Sequence, residues 1–302
     1  MKYLFLLSCF ILQTQLFAQS KSLTDEQLAR MEKFEKGLEV LGEKFTKDSL
    51  QDNRQKAMYR FVMALKESLK TDNSFQFPFE NVKHMSIINA PDKSFRVFTM
   101  MLLLDNQTCR HFGAIQLNRT KLKLIPLYDM SDTFPLYPYA LTTTNRNWWG
   151  QEYFNIVQKK IGKKNGYFMF GYDHNDLWSK KKIIEPMFIV NDSTVSFGAP
   201  TFEITEDDKK RIQNKFVLEY KKDASTTMNY QDIYKAIVFD HTHPEDEKLE
   251  GMYFTYIPDG TYEAFVWKKN KWIWVEKFAI NNNPSMDTAP IPSPQGKSGR
   301  LK

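Results

Sequence analysis

The hydrophobic period of this 302-residue chain changes once, near residue 80, and that change decides what the chain can fold into. Before it, Leu28, Met31, Phe34, Leu38, Leu41 and Phe45 recur at three-and-four spacing, and Met58, Phe61, Val62, Leu65 and Leu69 repeat the pattern. Such spacing is one face of a helix. Thr24 and Gln27 form a capping box at the first helix start. The two stripes predict a helical hairpin over residues 22–70. The heptad is not sustained, so the pair is expected to pack on its own domain and not as a coiled coil. Gly37 and Gly42 each weaken the first helix by about 1 kcal/mol relative to Ala, so tertiary packing has to hold it.

From about residue 82 the period is two and turn signals recur, which predicts an antiparallel β domain over residues 78–280. Asn165-Gly166 separates YFNIVQKKI from YFMFGYD, Pro258-Asp259-Gly260 separates MYFTYI from TYEAFVW, and Lys269-Asn270 leads into KWIWVEKF. Close turns join antiparallel strands, because parallel ones need a long crossover. Further turns are expected at Pro91–Ser94, Asp105–Thr108, Asn118–Lys121 and Asn191–Thr194. Aromatics at 15% suit half-buried pleated surfaces. The fold class is therefore mainly β: a helical hairpin followed by an antiparallel meander, sandwich or barrel-like. An echo between Pro91–Phe98 and Pro258–Phe265 offers a small propeller as the alternative.

The ends of the chain speak to location. Residues 1–18 carry Lys2, an apolar run from Tyr3 to Leu12 and Ala18 before Gln19, the pattern of a secretory signal peptide. The run is too short to span a bilayer, so no transmembrane segment is expected. Export to the periplasm or beyond follows; the alternative is a lipid anchor at Cys9, since Leu6-Leu7-Ser8-Cys9 loosely resembles a lipobox. With Cys9 removed only Cys109 remains, and no intrachain disulfide can form. Residues 281–302 are rich in Pro, Ser and Asn and read as a disordered tail. The formal charge of +6 falls to +5 when Lys2 leaves with the signal. The lysines sit in scattered pairs at expected turns, which suits edge protection and excludes the continuous basic stripe of a nucleic-acid binder.

The runs WWGQEYFN (148–155), FGYDHND (170–176), KKIIEPMFI (181–189), VSFGAPTF (195–202) and IVFDHTHP (237–244) together resemble a group of secreted Bacteroidota proteins of unknown function. The resemblance covers most of the chain after the helices. It implies export and a bacterial envelope location, and it carries no catalytic residue across.

The segment DHTHPEDE (240–247) is the first candidate for chemistry. In a strand His241 and His243 point to one face and can both ligate zinc, with His174 or Asp173 of GYDHND, or Glu245 or Asp246, completing the set. That reading makes the protein a metal-dependent hydrolase with zinc as cofactor. Against it, Pro244 should end the strand and leave His243 beside an exposed acidic turn. Asp173, Asn175 and Asp176 alternate oxygens without the glycine and distant glutamate of a calcium loop, so a turn capped by its own side chains is expected. Cys109 and His111 share a strand face while Arg110 points away, and a lone cysteine is ordinarily a small core residue. Trp148, Trp149 and Tyr153 are candidates for stacking on a glycan, although aromatics commonly fill cores. Each catalytic constellation lacks a member. The expectation is a non-enzymatic exported module, without a cofactor, that binds a protein or glycan of the envelope.

Overall fold

In the computed structural model, which describes residues 21–280 except 136, 137 and 207, Thr24 and Gln27 close the expected capping box. The Thr24 N–H donates to Gln27 Oε1 at 3.0 Å and the Gln27 N–H to Thr24 Oγ1 at 3.3 Å. Helix α1 (Asp25–Lys47) and helix α2 (Gln51–Leu69) then run as a hairpin. Met31, Leu38, Phe45, Met58, Phe61, Leu65 and Leu69 are buried, whereas Leu28 is 41% exposed and lies off the stripe. A side chain at Gly42 would meet the His84 ring at 2.8 Å, so this glycine trades helix propensity for a close contact; Gly37 has nothing within 4 Å.

The first sheet is a meander of β1 (Ser86–Asn89), β2 (Phe95–Leu103), β3 (Cys109–Leu117) and β4 (Leu124–Tyr128). The second contains β5 (Thr143–Thr144), β6 (Glu152–Ile161), β7 (Lys164–Asp173), β8 (Ser179–Asn191) and β9 (Thr194–Phe197) in the order β5-β9-β8-β7-β6. Strands β10 (Phe202–Glu206) and β11 (Lys209–Gln213) open the third sheet, and β12 (Phe216–Lys221) returns to pair with β8. Strands β13 (Met228–Gln231), β14 (Ala236–Pro244), β15 (Tyr256–Lys268) and β16 (Lys271–Val275) complete it as β11-β10-β16-β15-β14-β13.

Strand alternation stacks these pieces as layers. On β2, Phe98, Met100 and Leu102 share a core with the helices, while Phe95 and Val97 face the second sheet. On β7, Tyr167 and Met169 face the first sheet, while Phe168 and Phe170 pack on Phe202, Phe239, Phe265 and Trp272 of the third. Period two thus supplies both faces of each inner strand. Buried Arg96 ties the segment after α2 to the first sheet, donating to Gln116 Oε1 at 2.9 Å, Ser74 O at 2.8 Å and Phe77 O at 2.5 Å.

The chain is mainly β behind a helical hairpin, and no barrel closes among the described residues. The three sheets follow three different strand orders and not one repeated blade. Three local expectations change. The β6–β7 turn is Gly162-Lys163, with Gly162 at φ 61°, while Asn165 and Gly166 pair inside β7 with Lys160 and Lys159. A glycine at the first central position suits the twist of a two-residue hairpin, and it displaces the Asn-Gly signal. Pro258-Asp259-Gly260 is no turn but part of β15, opposite a register shift between Asp240 and Thr242. The Pro91 and Pro258 segments therefore differ in structure, one a turn and one a bulged strand. Finally, β10 and β16 pair in parallel, so the meander is not wholly antiparallel. The expected signal peptide, Cys9 anchor and tail lie outside the described residues.

Candidate functional site

One end of the space between the first and second sheets collects four reactive side chains. Cys109 and His111 open β3 on the face that Ile115 and Leu117 turn toward the second sheet. Asp129 follows β4 in phase with inward-facing Ile125 and Leu127. Asp173 ends β7 in phase with inward-facing Tyr167 and Met169. Alternation therefore aims all four at the same interlayer rim.

There the Cys109 Sγ donates toward Asp173 Oδ1 at 3.5 Å and lies 3.9 Å from His111 Nε2. His111 Nε2 is 3.9 Å from Asp173 Oδ1, and its Nδ1 is 3.7 Å from Asp129 Oδ2. The same Asp129 oxygen accepts the His111 backbone N–H at 2.8 Å, while Oδ1 accepts the Ser131 N–H and hydroxyl at 3.1 and 2.6 Å. A side chain at Gly150 would meet the Asp129 carboxylate at 2.5 Å, so only glycine leaves that carboxylate its place. Asp173 Oδ1 also accepts the Asn175 N–H at 2.8 Å, and Asp176 Oδ1 accepts the Trp178 and Ser179 N–H groups. The GYDHND segment is thus the side-chain-capped turn its composition predicts.

Burial favours an uncharged imidazole at His111, but Asp129, Cys109 and the charge of Asp173 outweigh it and push its pKa well above the ordinary value. Burial pushes the Cys109 thiol up, aided by Asp173 and opposed by His111. Burial works against ionisation of Asp129, yet the bonds from His111 and Ser131 hold it well below the carboxylate range. These directions favour a thiol at Cys109, a protonated ring at His111 and a carboxylate at Asp129. Beside it lies a cavity of about 290 Å³, lined in part by Ser131, Phe134, Trp149 and Lys181.

Among the described residues, Cys109, His111 and Asp173 are the group of three whose ligand atoms converge, all within 4.8 Å of one another. The ligand atoms of His241, His243 and His174 are not part of that group. His241 sits at the β14 register shift with its Nδ1 2.8 Å from Asp259 Oδ2. The Nδ1 of His243 lies 2.9 Å from Pro244 O, and the acidic run Glu245–Glu247 is exposed as expected. His174 points away from the face of Asp173, with Nδ1 3.4 Å from the Tyr172 hydroxyl and a buried, unpartnered Nε2.

The aromatic candidates also sit inside. Trp148 and Tyr153 are fully buried and Trp149 is 5% exposed, so none offers a free ring face to a sugar. Trp148 Nε1 donates to the Tyr153 hydroxyl at 2.7 Å, and Lys215 Nζ stands 5.3 Å from the Trp149 ring centre. The tryptophan that is exposed, Trp178 at 65%, lies in the β7–β8 turn. Alternation alone puts Cys109 and His111 on one face, and GYDHND offers Asp173, whereas Asp129 stands in no motif. Its phase with Ile125 and Leu127 was the available signal. No family model matches the chain, and no curated protein or solved structure matches it.

Proposed function

We propose that the protein is exported to the bacterial envelope and there binds a divalent transition-metal ion, zinc fitting best, through Cys109 Sγ, His111 Nε2 and Asp173 Oδ1. The observation that carries this reading is the convergence of one sulfur, one nitrogen and one oxygen donor within 4.8 Å. Tetrahedral zinc bonds of about 2.0–2.3 Å place donors about 3.4–3.6 Å apart. The present separations of 3.5–3.9 Å need to close by only a few tenths of an ångström. Asp129 behind Nδ1 supplies the carboxylate that orients a ligating histidine. Zinc entering as the thiol and imidazolium protons leave keeps the local charge unchanged, which removes the main electrostatic cost of burying the ion. Three protein ligands beside a cavity leave a fourth position for water or a small ligand.

Elemental analysis of untagged protein tests this. One zinc per chain is expected, and none in Cys109→Ser. Wild-type protein that stays metal-free after incubation with zinc and dialysis refutes the reading.

A second reading has one observation in its favour: Cys109 Sγ, the His111 ring and Asp129 stand in the order nucleophile, base and orienting carboxylate, beside a cavity. The raised thiol pKa opposes it, because the thiolate is the nucleophile. Alkylation by iodoacetamide separates the two. A metal site is slow to alkylate until a chelator is added, whereas an activated thiol reacts fast at neutral pH with or without chelator.

A further inference from the structure

A second concavity is lined by β12 together with β10, β11, β14, β15 and β16 of the third sheet. It holds about 190 Å³, below the roughly 300–1,000 Å³ of drug-sized sites. Its floor is aromatic: Phe216 lies 4.8 Å from Phe239, ring centre to ring centre. Its rim carries Tyr253 and Tyr256, whose rings are 5.0 Å apart, and Trp274. Strand parity turns Glu263 toward this space, because Phe265 and Trp267 on the same face of β15 belong to the core between the second and third sheets.

We propose that this cleft binds a small primary organic ammonium ion, with its charge on the Glu263 carboxylate and its alkyl chain against the aromatic floor and rim. Three independent features point to that chemistry. Among the described residues no cationic side chain is bound to Glu263; its hydrogen-bond donor is Trp274 Nε1 at 3.3 Å. The lining also contains a buried acceptor without a partner, Gln213 Oε1, which suits an ammonium N–H. Aromatic faces attract desolvated cations.

The charges around Glu263 agree with a cationic guest. Glu206 on β10 is engaged by Arg211 of β11 at 2.5 Å. Glu219 on β12 accepts the Ser179 hydroxyl at 2.6 Å and stands 3.9 Å from Lys181. Glu276 follows β16, and His241 of β14 pairs with Asp259. Against these, burial, with Glu276 and Glu206 adding to it and Trp274 and His241 opposing it, raises Glu263 to about 7. A bound cation stabilises the ionised form, so the cleft takes up its ligand with loss of a proton from Glu263.

The test is a titration of full-length protein with n-butylammonium, 1-butanol and butyrate, followed by the ¹⁵N–¹H signal of the Trp274 indole. Saturable shifts are expected for n-butylammonium, with affinity about tenfold above 1-butanol and rising between pH 6 and pH 8. Butyrate should give none. Glu263→Gln should lose about tenfold in affinity and abolish the pH dependence while the thermal midpoint holds. If that variant fails to fold, Glu206→Gln, which frees the Arg211 cation beside the cleft, should weaken binding in its place. Equal affinity for 1-butanol, unchanged affinity in both variants, or no saturable shift at pH 8 overturns the proposal.

Discussion

Two polar centres share the space between the first and second sheets, and they are built on opposite plans. Glu185 and Lys215 are fully buried and 2.9 Å apart; Glu185 also accepts Gln151 Nε2 at 2.8 Å and the Tyr153 hydroxyl at 3.4 Å. At the rim, Cys109, His111 and Asp173 face one another at 3.5–3.9 Å beside a cavity. In the first centre the two charges are paired at short range, and the acceptor left without a partner among the described residues is Gln151 Oε1, itself fully buried. The second holds its donors in longer contacts, close enough to converge on one ion, beside a cavity. Burial alone does not separate structure from site; what separates them is whether the charges are locked in a short ion pair inside the core or held in longer contacts beside a cavity.

Breaking the ion-paired centre gives the largest effect. Lys215→Met leaves the Glu185 carboxylate buried without a counter-charge, and about 3–5 kcal/mol of stability should be lost. Urea denaturation measures it, as a lower midpoint at unchanged slope. A loss below about 1 kcal/mol, the scale of exposed ion pairs, would mean that the pair is not a structural centre.

The centre beside the cavity should respond in function before stability. Gly150→Ala puts a methyl group where the Asp129 carboxylate now lies, 2.5 Å away, and so disturbs the group that orients His111 without touching a ligand. Zinc affinity should fall about 10–100-fold, the usual consequence of losing an outer-shell partner. Competition with a chromophoric chelator measures this. An unchanged affinity would remove Asp129 from the site.

Acidity sharpens the contrast further. In metal-free protein the His111 pKa is raised on folding. Its stabilisation is therefore complete below the unfolded value of about 6.5 and is lost as pH climbs toward the folded value, by up to about 1.4 kcal/mol per unit. Asp129 is depressed, so its contribution is present above its unfolded pKa and disappears only in acid, outside this window. Urea midpoints should fall from pH 6 to pH 8, and His111→Gln should flatten the slope. Zinc affinity should move the other way and rise with pH, because the metal displaces protons.

Much of this organisation is legible in the sequence, and what is not follows a rule. Local chemistry reads well: the Thr24–Gln27 box, the helical stripes and the hairpin turn at Lys269-Asn270, where both residues take positive φ, all sit where their residues require. Competing local signals read less well. Gly162 and Asn165-Gly166 both suit a β-turn, and register settled the matter because Ile161 lies opposite Lys164. Long-range pairing hardly reads at all, as the parallel pair of β10 and β16 shows. The candidate site repeats that gradation. Cys109 and His111 share a face by simple alternation, but Asp173 reaches them across 64 residues through sheet stacking that no local pattern encodes. DHTHPEDE stands out by composition, yet each of its histidines is engaged locally, His241 with Asp259 and His243 with the Pro244 carbonyl, and no third ligand atom converges on them among the described residues.

The pairing of His241 yields the smallest predicted effect. His241 is 37% exposed and pairs with Asp259, itself 32% exposed, at 2.8 Å. Burial works against the Asp259 charge, but the Thr261 N–H and hydroxyl, with His241 after them, together outweigh it and bring its pKa down to about 2. Most of that stabilisation comes from Thr261, which His241→Ala leaves in place. A solvent-screened pair of this kind contributes at most about 1 kcal/mol, so the variant should stay within that range of wild type in urea. Its zinc content should equal that of wild type, because the ligand atoms of Cys109, His111 and Asp173 converge without it. If His241→Ala instead stripped the metal while Cys109→Ser retained it, the roles of the two regions would be reversed, and the Cys109 cluster at the rim of the first and second sheets would be a packing feature only.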